Sequence, residues 1–229
     1  MSELLAEAWR RIVSLDPEVV DITLRTLWLS SSATVLSCLV CGPLAAAIHF
    51  TSFRGKGTLI GVVQSLYSVP TVLVGLLVYL ALSRSGSLGG WGLLFTPQAI
   101  VAGQALLIAP VVMGLTITTL RGVDPGVRDT ALGLGASHLR AALVVIQQAR
   151  HAWATVVLMA FGRAVSEVGV AMMVGGNIRG YTRTLTTAIS LGVGRGDTAE
   201  AVALGIMLMA VALTVTILAN AAGRFSRGS

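Results

Sequence analysis

The chain has 229 residues, of which 55% are hydrophobic and only 11% are charged. Because soluble globular domains carry about 25% charged residues, this composition excludes an ordinary soluble domain and indicates a membrane protein. The net charge of +6 is scattered over the polar segments without a run of basic residues, which argues against a nucleic-acid-binding protein.

The first 20 residues contain six charged side chains and no apolar stretch, so we expect no cleavable signal peptide here. Apolar residues at helical spacing predict a short amphipathic helix that lies in the membrane interface. An unstructured tail is the alternative. The residues at this spacing are Leu4, Leu5, Ala8, Trp9, Ile12 and Val13.

Five apolar stretches follow, each long enough to cross a bilayer as a helix, since about 20 residues suffice. They are Thr26–Ile48, Thr58–Ser83, Pro97–Leu120, Ala152–Gly176 and Ala201–Gly223. The strands of a β-barrel would be shorter and would alternate polar and apolar residues. We therefore predict an all-α membrane protein with five transmembrane helices, in a single domain that covers residues 1–229.

The first stretch contains Cys38 and Cys41 at C-x-x-C spacing. In a soluble protein this spacing indicates redox chemistry or a metal site. Inside a bilayer-spanning helix we interpret both cysteines as small packing residues, and no further cysteine is present to complete a ligand set. We predict no metal site.

The connection 121–151 is too polar to cross a bilayer and too regular for a plain loop. Asp124 before Pro125 predicts the start of a helix, because Asp caps backbone N–H groups and Pro suits the first helical position. Glycines at 133 and 135 predict its end. This segment is therefore expected to begin with a short helix outside the bilayer.

A second helix is predicted to begin at Ser137, which is also a capping residue. An amphipathic helix at a membrane surface can enter the groove of a partner protein. The alternative is that residues 121–151 pack only on the chain's own surface. The residues on one face of this second helix are Leu139, Ala142, Leu143 and Ile146.

The fourth apolar stretch contains Arg163 and Glu167, which lie on one face of a helix because they are four residues apart. In a helix that begins near Ala152, Arg163 lies about 16 Å deep, near the middle of a bilayer core about 30 Å thick. A charge there costs at least about 2.5–3.5 kcal/mol, so both groups should face the bundle interior or a water-filled path. The pair either locks helix packing or lines a path for an anion.

The connection 177–200 is rich in Gly, Thr and Arg. Hydroxyl and N–H donors suit a tetrahedral oxyanion, whose surface is almost entirely hydrogen-bond acceptors, and Arg can bind it through two hydrogen bonds. An ordinary polar loop is the alternative. The candidate residues are Asn177, Thr182, Arg183 and Thr184.

The chain offers no chemistry of its own. It lacks the G-x-x-x-x-G-K-[ST] phosphate loop, and its polar residues indicate no pair of nucleophile and base. His49, His138 and His151 lie far apart in the sequence and form no ligand set. We predict that the protein is not an enzyme, has no catalytic residue and binds no cofactor itself.

Residues 121–151 resemble the coupling loop, or EAA loop, of ABC importer permeases. That loop has the pattern Glu-Ala-Ala, three residues, Gly. Here Asp129 replaces Glu, Thr130 replaces the first Ala, and the usual Pro near Ile146 is missing. In this family the loop is cytoplasmic and docks into the ATP-hydrolysing subunit. The resemblance assigns this coupling role to Asp129, Thr130, Ala131, Gly135, Ala136, Ser137, Leu139 and Leu143.

Residues 161–190 resemble permeases for tungstate and molybdate, and are most like the tungstate branch. The motifs that carry the resemblance are SEVG at 166–169, MMVGGNI at 172–178 and GYTRTLTTAI at 180–189. The resemblance covers nearly the whole chain and implies the type I ABC importer permease fold. It implies tungstate as cargo, with molybdate or sulfate as alternatives. The residues expected along the translocation path are Arg163, Glu167, Asn177, Thr182, Arg183 and Thr184.

The resemblance also implies the partners. They are a second copy of the chain, a dimer of ABC ATPase subunits that binds ATP and Mg, an extracytoplasmic oxyanion-binding protein and the lipid bilayer, with no nucleic acid. Basic residues divide almost evenly between the two sides, so the positive-inside rule does not settle orientation. A cytoplasmic coupling loop implies a protein of the cell membrane with its N-terminus outside and its C-terminus in the cytoplasm.

Two other functions fit a five-span membrane protein. A secondary transporter would work without an ATPase, and such proteins often contain inverted repeats, which the two halves of this sequence do not display. A scaffold subunit without a substrate would leave Arg163 and Glu167 with no path to line.

Overall fold

The computed structural model describes residues 2–227, without the side chains of residues 2–5, 7–8 and 222–227. The described part is built of helices and contains no strand, which confirms the all-α prediction. The helices are α1 Ser2–Val13, α2 Pro17–Phe50, α3 Lys56–Ser65, α4 Thr71–Leu82, α5 Pro97–Arg121, α6 Pro125–Gly133, α7 His138–Gln148, α8 Arg150–Val165, α9 Gly169–Gly175, α10 Leu185–Arg195 and α11 Thr198–Arg227.

Helices α2, α5 and α11 are each long and apolar enough to cross a membrane without a break. Two further candidates are bent, namely α3 with α4 and α7 with α8, so by length and composition alone the described residues offer three candidate spans, or up to five if each bent pair counts as one. Large apolar side chains such as Trp28, Leu39 and Ile217 are more than half exposed on these helices. Lipid can cover such side chains, as expected for a membrane protein.

The apolar stretch Thr58–Ser83, predicted to cross the bilayer as a helix, is a bent pair of helices and not one continuous helix. Helix α3 ends at Ser65, a short 3₁₀ turn covers Leu66–Ser68, and α4 begins at Thr71, with 97° between the two helices. Pro70 explains the bend, because it has no N–H group to donate and forces the preceding residue out of the helical conformation. Val69 accordingly has φ −64° and ψ 129°.

The prediction of one continuous helix over Ala152–Gly176 is also wrong. Helix α8 ends at Val165 and α9 begins at Gly169. The side chain of Glu167 accepts a hydrogen bond from the backbone N–H of Val170 at 3.0 Å, so it caps the start of the second helix. The Arg163–Glu167 pair therefore lies at a break between two helices and not in the middle of one.

The connection 177–200 contains the helix α10, which the sequence analysis did not anticipate. Thr184 caps this helix and forms a reciprocal capping box with Thr187. The apolar face of α10 packs against the beginning of α2 and against α11. The buried side chains of this cluster are Val19, Ile22, Leu185, Ala188 and Leu204.

The core of the bundle is the contact of α2 with α5, and α8 and α9 pack against α5. Cys38 and Cys41 are free thiols in this core, together with Ile108, Val112 and Ala160, as expected for packing residues. At the N-terminus, α1 confirms the predicted helix, with Trp9 and Val13 exposed. The side chains of Leu4, Leu5 and Ala8 lie outside the described residues.

Candidate functional site

The connection 121–151 forms the two predicted short helices. Asp124 accepts a hydrogen bond from the N–H of Gly126 at 2.8 Å and thereby caps α6. Ser137 caps α7 by accepting from the N–H of Arg140 at 3.3 Å. Between the helices Gly135 has φ +86°, a left-handed conformation that glycine adopts without strain. Local capping and one glycine therefore set the geometry of this helix pair.

Helix α7 has a buried face and an open face. Ala141 and Val145 are buried on the inner face, where Val145 packs with Leu120 and Ala149. We define the docking face as the exposed apolar side chains of the opposite side and of the turn before it. These are Leu134, Leu139, Leu143 and Ile146. The alternative that this segment packs only on its own chain leaves these four side chains without a role.

The remaining predicted coupling residues lie beside the docking face. Asp129, Thr130 and Ser137 are exposed, and Ala131 and Ala136 are partly exposed. A shallow depression of about 660 Å³ between α6 and α7 is lined by Thr130, Ala131, Leu134 and Val144, among others. The eight predicted coupling residues therefore lie on α6, on α7 and in the turn between them, while their docking role stays a prediction.

Arg163 and Glu167 form an ion pair, with 3.1 Å between Nη1 and Oε2. The Glu167 side chain is only 1% exposed, whereas the Arg163 side chain is 40% exposed. Glu167 is held from three sides, because its Oε1 caps Val170 and its carbonyl oxygen accepts from Thr186 Oγ1 at 2.7 Å. Glu167 therefore has a structural role in this arrangement, and Arg163 is the member of the pair that faces open space.

The hydroxyl groups of Thr182 and Thr184 bind within the protein and are both buried. Thr182 Oγ1 donates to the carbonyl of Gly175 at 2.6 Å and accepts from the N–H of Ile178 at 2.9 Å. Thr184 Oγ1 lies 3.1 Å from the hydroxyl oxygens of both Thr186 and Thr187. These hydroxyls therefore stabilise the fold of their own segment. The sequence analysis proposed them as anion ligands and did not predict these internal hydrogen bonds.

Asn177 belongs to the same buried network. Its Nδ2 donates to the carbonyl of Thr187 at 3.2 Å, and its backbone has φ +51°. Through Thr186 and Thr187 the structure links Glu167, Asn177 and Thr184 into one polar cluster. Sequence reasoning missed Thr186 and Thr187, although a Thr directly before an apolar run, as at 184, is a signal for the start of a helix.

Arg183 does not project freely from the loop. Its side chain is 11% exposed, and Nη1 lies 3.4 Å from Oε1 of Glu18 at the start of α2. The backbone carbonyl of Arg183 accepts a hydrogen bond from Arg25 at 3.3 Å. Arg183 is thus fixed in place by α2, a contact between residues 165 positions apart that no local pattern predicts.

Arg179 shares the same carboxylate. Its Nε and Nη2 bind the two oxygens of Glu18 at 2.8 and 2.5 Å. The hydrogen bond and the charge of Glu18 raise the pKa of the Arg179 guanidinium above its ordinary value. Glu18 and Arg179 were not among the predicted site residues.

The two candidate surfaces lie near opposite ends of α2. Thr26 accepts a hydrogen bond from the N–H of Leu185 at one end, and Phe50 packs with the cluster of Leu120 and Val145 at the other. Twenty-four residues of helix separate Thr26 from Phe50, about 36 Å at 1.5 Å per residue. The helix pair α6–α7 and residues 179–183, the arginine segment, are therefore about a bilayer thickness apart.

Known proteins resemble this chain in sequence. Residues 39–226 match the family described as binding-protein-dependent transport system inner membrane component. A probable anion ABC transporter permease protein of Haloferax volcanii is 40% identical over 78% of this chain and 79% of its own length. The tungstate uptake system permease protein TupB of Peptoclostridium acidaminophilum is 39% identical over 85% of this chain and 87% of its own length.

A solved structure has the same fold. It is the bacterial alginate ABC transporter in complex with alginate pentasaccharide-bound periplasmic protein, which superposes with a TM-score of 0.71. The match covers 93% of this chain and 82% of that chain. At 19% identity this likeness concerns the fold alone.

Proposed function

The chain belongs to the family of binding-protein-dependent transport system inner membrane components, and we propose that it imports tungstate as the permease subunit of an ABC importer. Its fold is that of type I ABC importer permeases, and it is a transport subunit rather than a catalytic one. The observation that carries the proposed cargo is the 39% identity over 85% of the chain with a tungstate uptake permease. Molybdate and sulfate are the alternative cargoes.

The proposed partners follow from this role. A dimer of ABC ATPase subunits would bind ATP and Mg and receive the docking face, while this chain binds no cofactor. An extracytoplasmic binding protein would deliver the oxyanion near the N-terminal end of α2, and a second copy of the chain would complete the path. In this arrangement the N-terminus is outside and the C-terminus is in the cytoplasm.

We propose alternating access as the mechanism. ATP binding would close the ATPase dimer, which would pull on the helix pair of both permeases and open the path toward the outside. The exposed Leu139 and Leu143 support this role, because exposed apolar side chains on an amphipathic helix suit a partner's groove. Hydrolysis would then reset the complex.

Of the Arg163–Glu167 pair, Arg163 is the better candidate for contact with the anion. Glu167 holds one of its nitrogens and leaves the guanidinium 40% exposed. Thr182 and Thr184 would act indirectly, since their hydroxyls fix the segment that carries Arg183. Asn177 would act in the same way, through its hydrogen bond to Thr187.

The test is radiolabelled tungstate uptake by cells that express the permease with its ATPase and binding protein. Excess unlabelled molybdate should reduce uptake less than excess tungstate, and sulfate should reduce it least. Sulfate that competes as well as tungstate would overturn the proposed cargo. Uptake that persists with an ATPase unable to hydrolyse ATP would favour the secondary transporter instead.

A further inference from the structure

One carboxylate serves two guanidinium groups at the N-terminal end of α2. Glu18 binds Arg179 through both of its oxygens and reaches Arg183 with the longer contact of 3.4 Å. Arg25, the next arginine at this end, is paired with Asp21. Glu200 adds only a more distant negative charge near Arg179. Among the described residues, the single charge of Glu18 is therefore shared between two positive charges.

The binding capacity of the two arginines is not used up. The Nε of Arg183 is buried and has no hydrogen-bond partner within the described part of the chain. Arg179 remains 73% exposed at its side chain. A further acceptor with more than one oxygen and more than one negative charge would satisfy this pair better than Glu18 does.

A tetrahedral dianion is such an acceptor. Each edge of its tetrahedron presents two oxygens, as a carboxylate does, and Arg binds both kinds of group through two parallel hydrogen bonds. The dianion carries twice the charge of Glu18. The contact of Glu18 with Arg179 is thus the same kind of contact that an oxyanion would make there.

We propose that Glu18 occupies the arginine pair in place of the oxyanion, and that the incoming anion displaces it and binds Arg179 and Arg183 together. The inference rests on the proposed function and adds two residues to it, Arg179 as a ligand and Glu18 as an internal competitor. In the resting protein the single negative charge of Glu18 is shared between the two guanidinium groups. Delivery of the anion then releases the start of α2 from the segment after α9.

Breaking the ion pair between Glu18 and Arg179 should cost the protein little free energy. Exposed ion pairs contribute little to stability, and both Glu18 and Arg179 are accessible to solvent. Arg183 stays in position during the exchange, because its side chain is buried and its carbonyl is bound by Arg25. One buried and one exposed guanidinium therefore remain for the anion.

The test measures anion binding to the permease directly. The permease is purified with its ATPase partner and without the binding protein, and sodium tungstate is added by equilibrium dialysis at constant ionic strength. Glu18→Gln keeps the shape of the side chain and removes the competing charge, so it should bind tungstate about two- to fivefold more tightly. Arg179→Gln should bind it at least about fivefold more weakly, since it removes a charged two-bond contact.

Asp21→Asn is the matched control, because it removes a carboxylate one turn away that is paired with Arg25. Its affinity should change by less than about twofold. Melting temperatures are measured for all variants without tungstate. An unchanged affinity in Glu18→Gln with a lowered melting temperature would show that Glu18 only ties α2 to the loop, and would overturn the proposal.

The proposed function is judged separately, by tungstate uptake of cells with the unaltered protein. Normal uptake together with unchanged binding in Glu18→Gln overturns only the displacement of Glu18. Absence of tungstate uptake in the presence of ATPase and binding protein overturns the proposed function itself.

Discussion

Glu167 combines three tasks in one residue. It neutralises Arg163, caps α9 through Val170, and offers its backbone carbonyl to Thr186. A buried carboxylate is stable only when its oxygens are paired, and here each oxygen has a partner. The residue therefore joins the end of α8 to the start of α9 and to α10, while Arg163 keeps part of its guanidinium free for another contact.

Glu167→Gln removes the negative charge that pairs with Arg163 but keeps an oxygen that can cap α9. The Gln oxygen can still accept from Val170, so the expected loss in the free energy of unfolding is only about 1 kcal/mol, discounted because Arg163 is partly exposed. Glu167→Ala also removes the cap and should cost about 1 kcal/mol more. Thermal unfolding of the purified protein in detergent measures both. Equal losses in the two variants would contradict a capping role.

Glu167→Gln also tests whether the Arg163–Glu167 pair lines the translocation path. If Arg163 meets the anion and Glu167 only positions it, tungstate uptake should change in Glu167→Gln even where the protein is present at normal level. Uptake and stability that both match the unaltered protein would remove the pair from the site and from the core.

At the scale of elements, the helix pair α6–α7 is defined by its ends. Capping residues start both helices, and the left-handed conformation of Gly135 turns the chain between them. The inner face of α7 fixes the pair to α5 through Leu120 and Val145. If the docking face moves, this contact would transmit the movement to a membrane-spanning helix.

Gly135→Ala should uncouple the transporter. A Cβ at φ +86° costs about 1–2 kcal/mol even though no atom lies within 4 Å of it, so the turn should change shape. We expect reduced anion-stimulated ATPase activity of the reconstituted complex. Gly133→Ala is the matched control, because Gly133 is helical and also has open space around it. Equal activity of the two variants would contradict the requirement for this turn.

The two faces of α7 should respond differently to the same substitution. Leu143 is 55% exposed and Val145 is 4% exposed. Leu143→Gln should leave the melting temperature nearly unchanged and reduce co-purification of the ATPase partner. Val145→Gln should lower the stability by about 2 kcal/mol or more, since it buries an unpaired amide. Full ATPase recovery with Leu143→Gln would remove this residue from the docking face.

At the scale of the whole molecule, α2 connects the two surfaces. Its N-terminal part holds the arginine segment through Glu18 and Thr26, and its C-terminal part packs beside the helix pair. The broken spans make contacts that straight helices would not. The bend at Pro70 turns α4 against α9, where Gly75 lies close to the backbone of Val170.

The orientation of the chain is testable by cysteine labelling. Cys38 and Cys41 are buried and are replaced by Ala for this purpose. Ser14→Cys should then react with a membrane-impermeant maleimide on intact cells, whereas His138→Cys should react only after permeabilisation. Both positions are exposed, so access to solvent does not distinguish them. The reverse pattern would contradict a cytoplasmic helix pair.

The sequence by itself determined the features that depend on neighbouring residues. Apolar runs predicted the membrane-spanning segments, and Asp124, Ser137 and Gly135 predicted the helix pair, because capping and turns act over a few positions. The bend at Pro70 was equally local and was overlooked. In the same way, the capping residue Thr184 that begins α10 was present in the sequence and was not used.

Only the tertiary structure decided how the polar residues of the candidate path are used. Thr182, Thr184 and Arg183 have side chains suited to an anion, yet the first two fold their own segment and the third is held by Glu18. That choice depends on α2 and α10 lying side by side, which places Glu18 next to Arg179 across 161 positions of sequence. Donors and acceptors are fixed by residue type, whereas their partners are fixed by packing, and packing brings distant parts of the chain together.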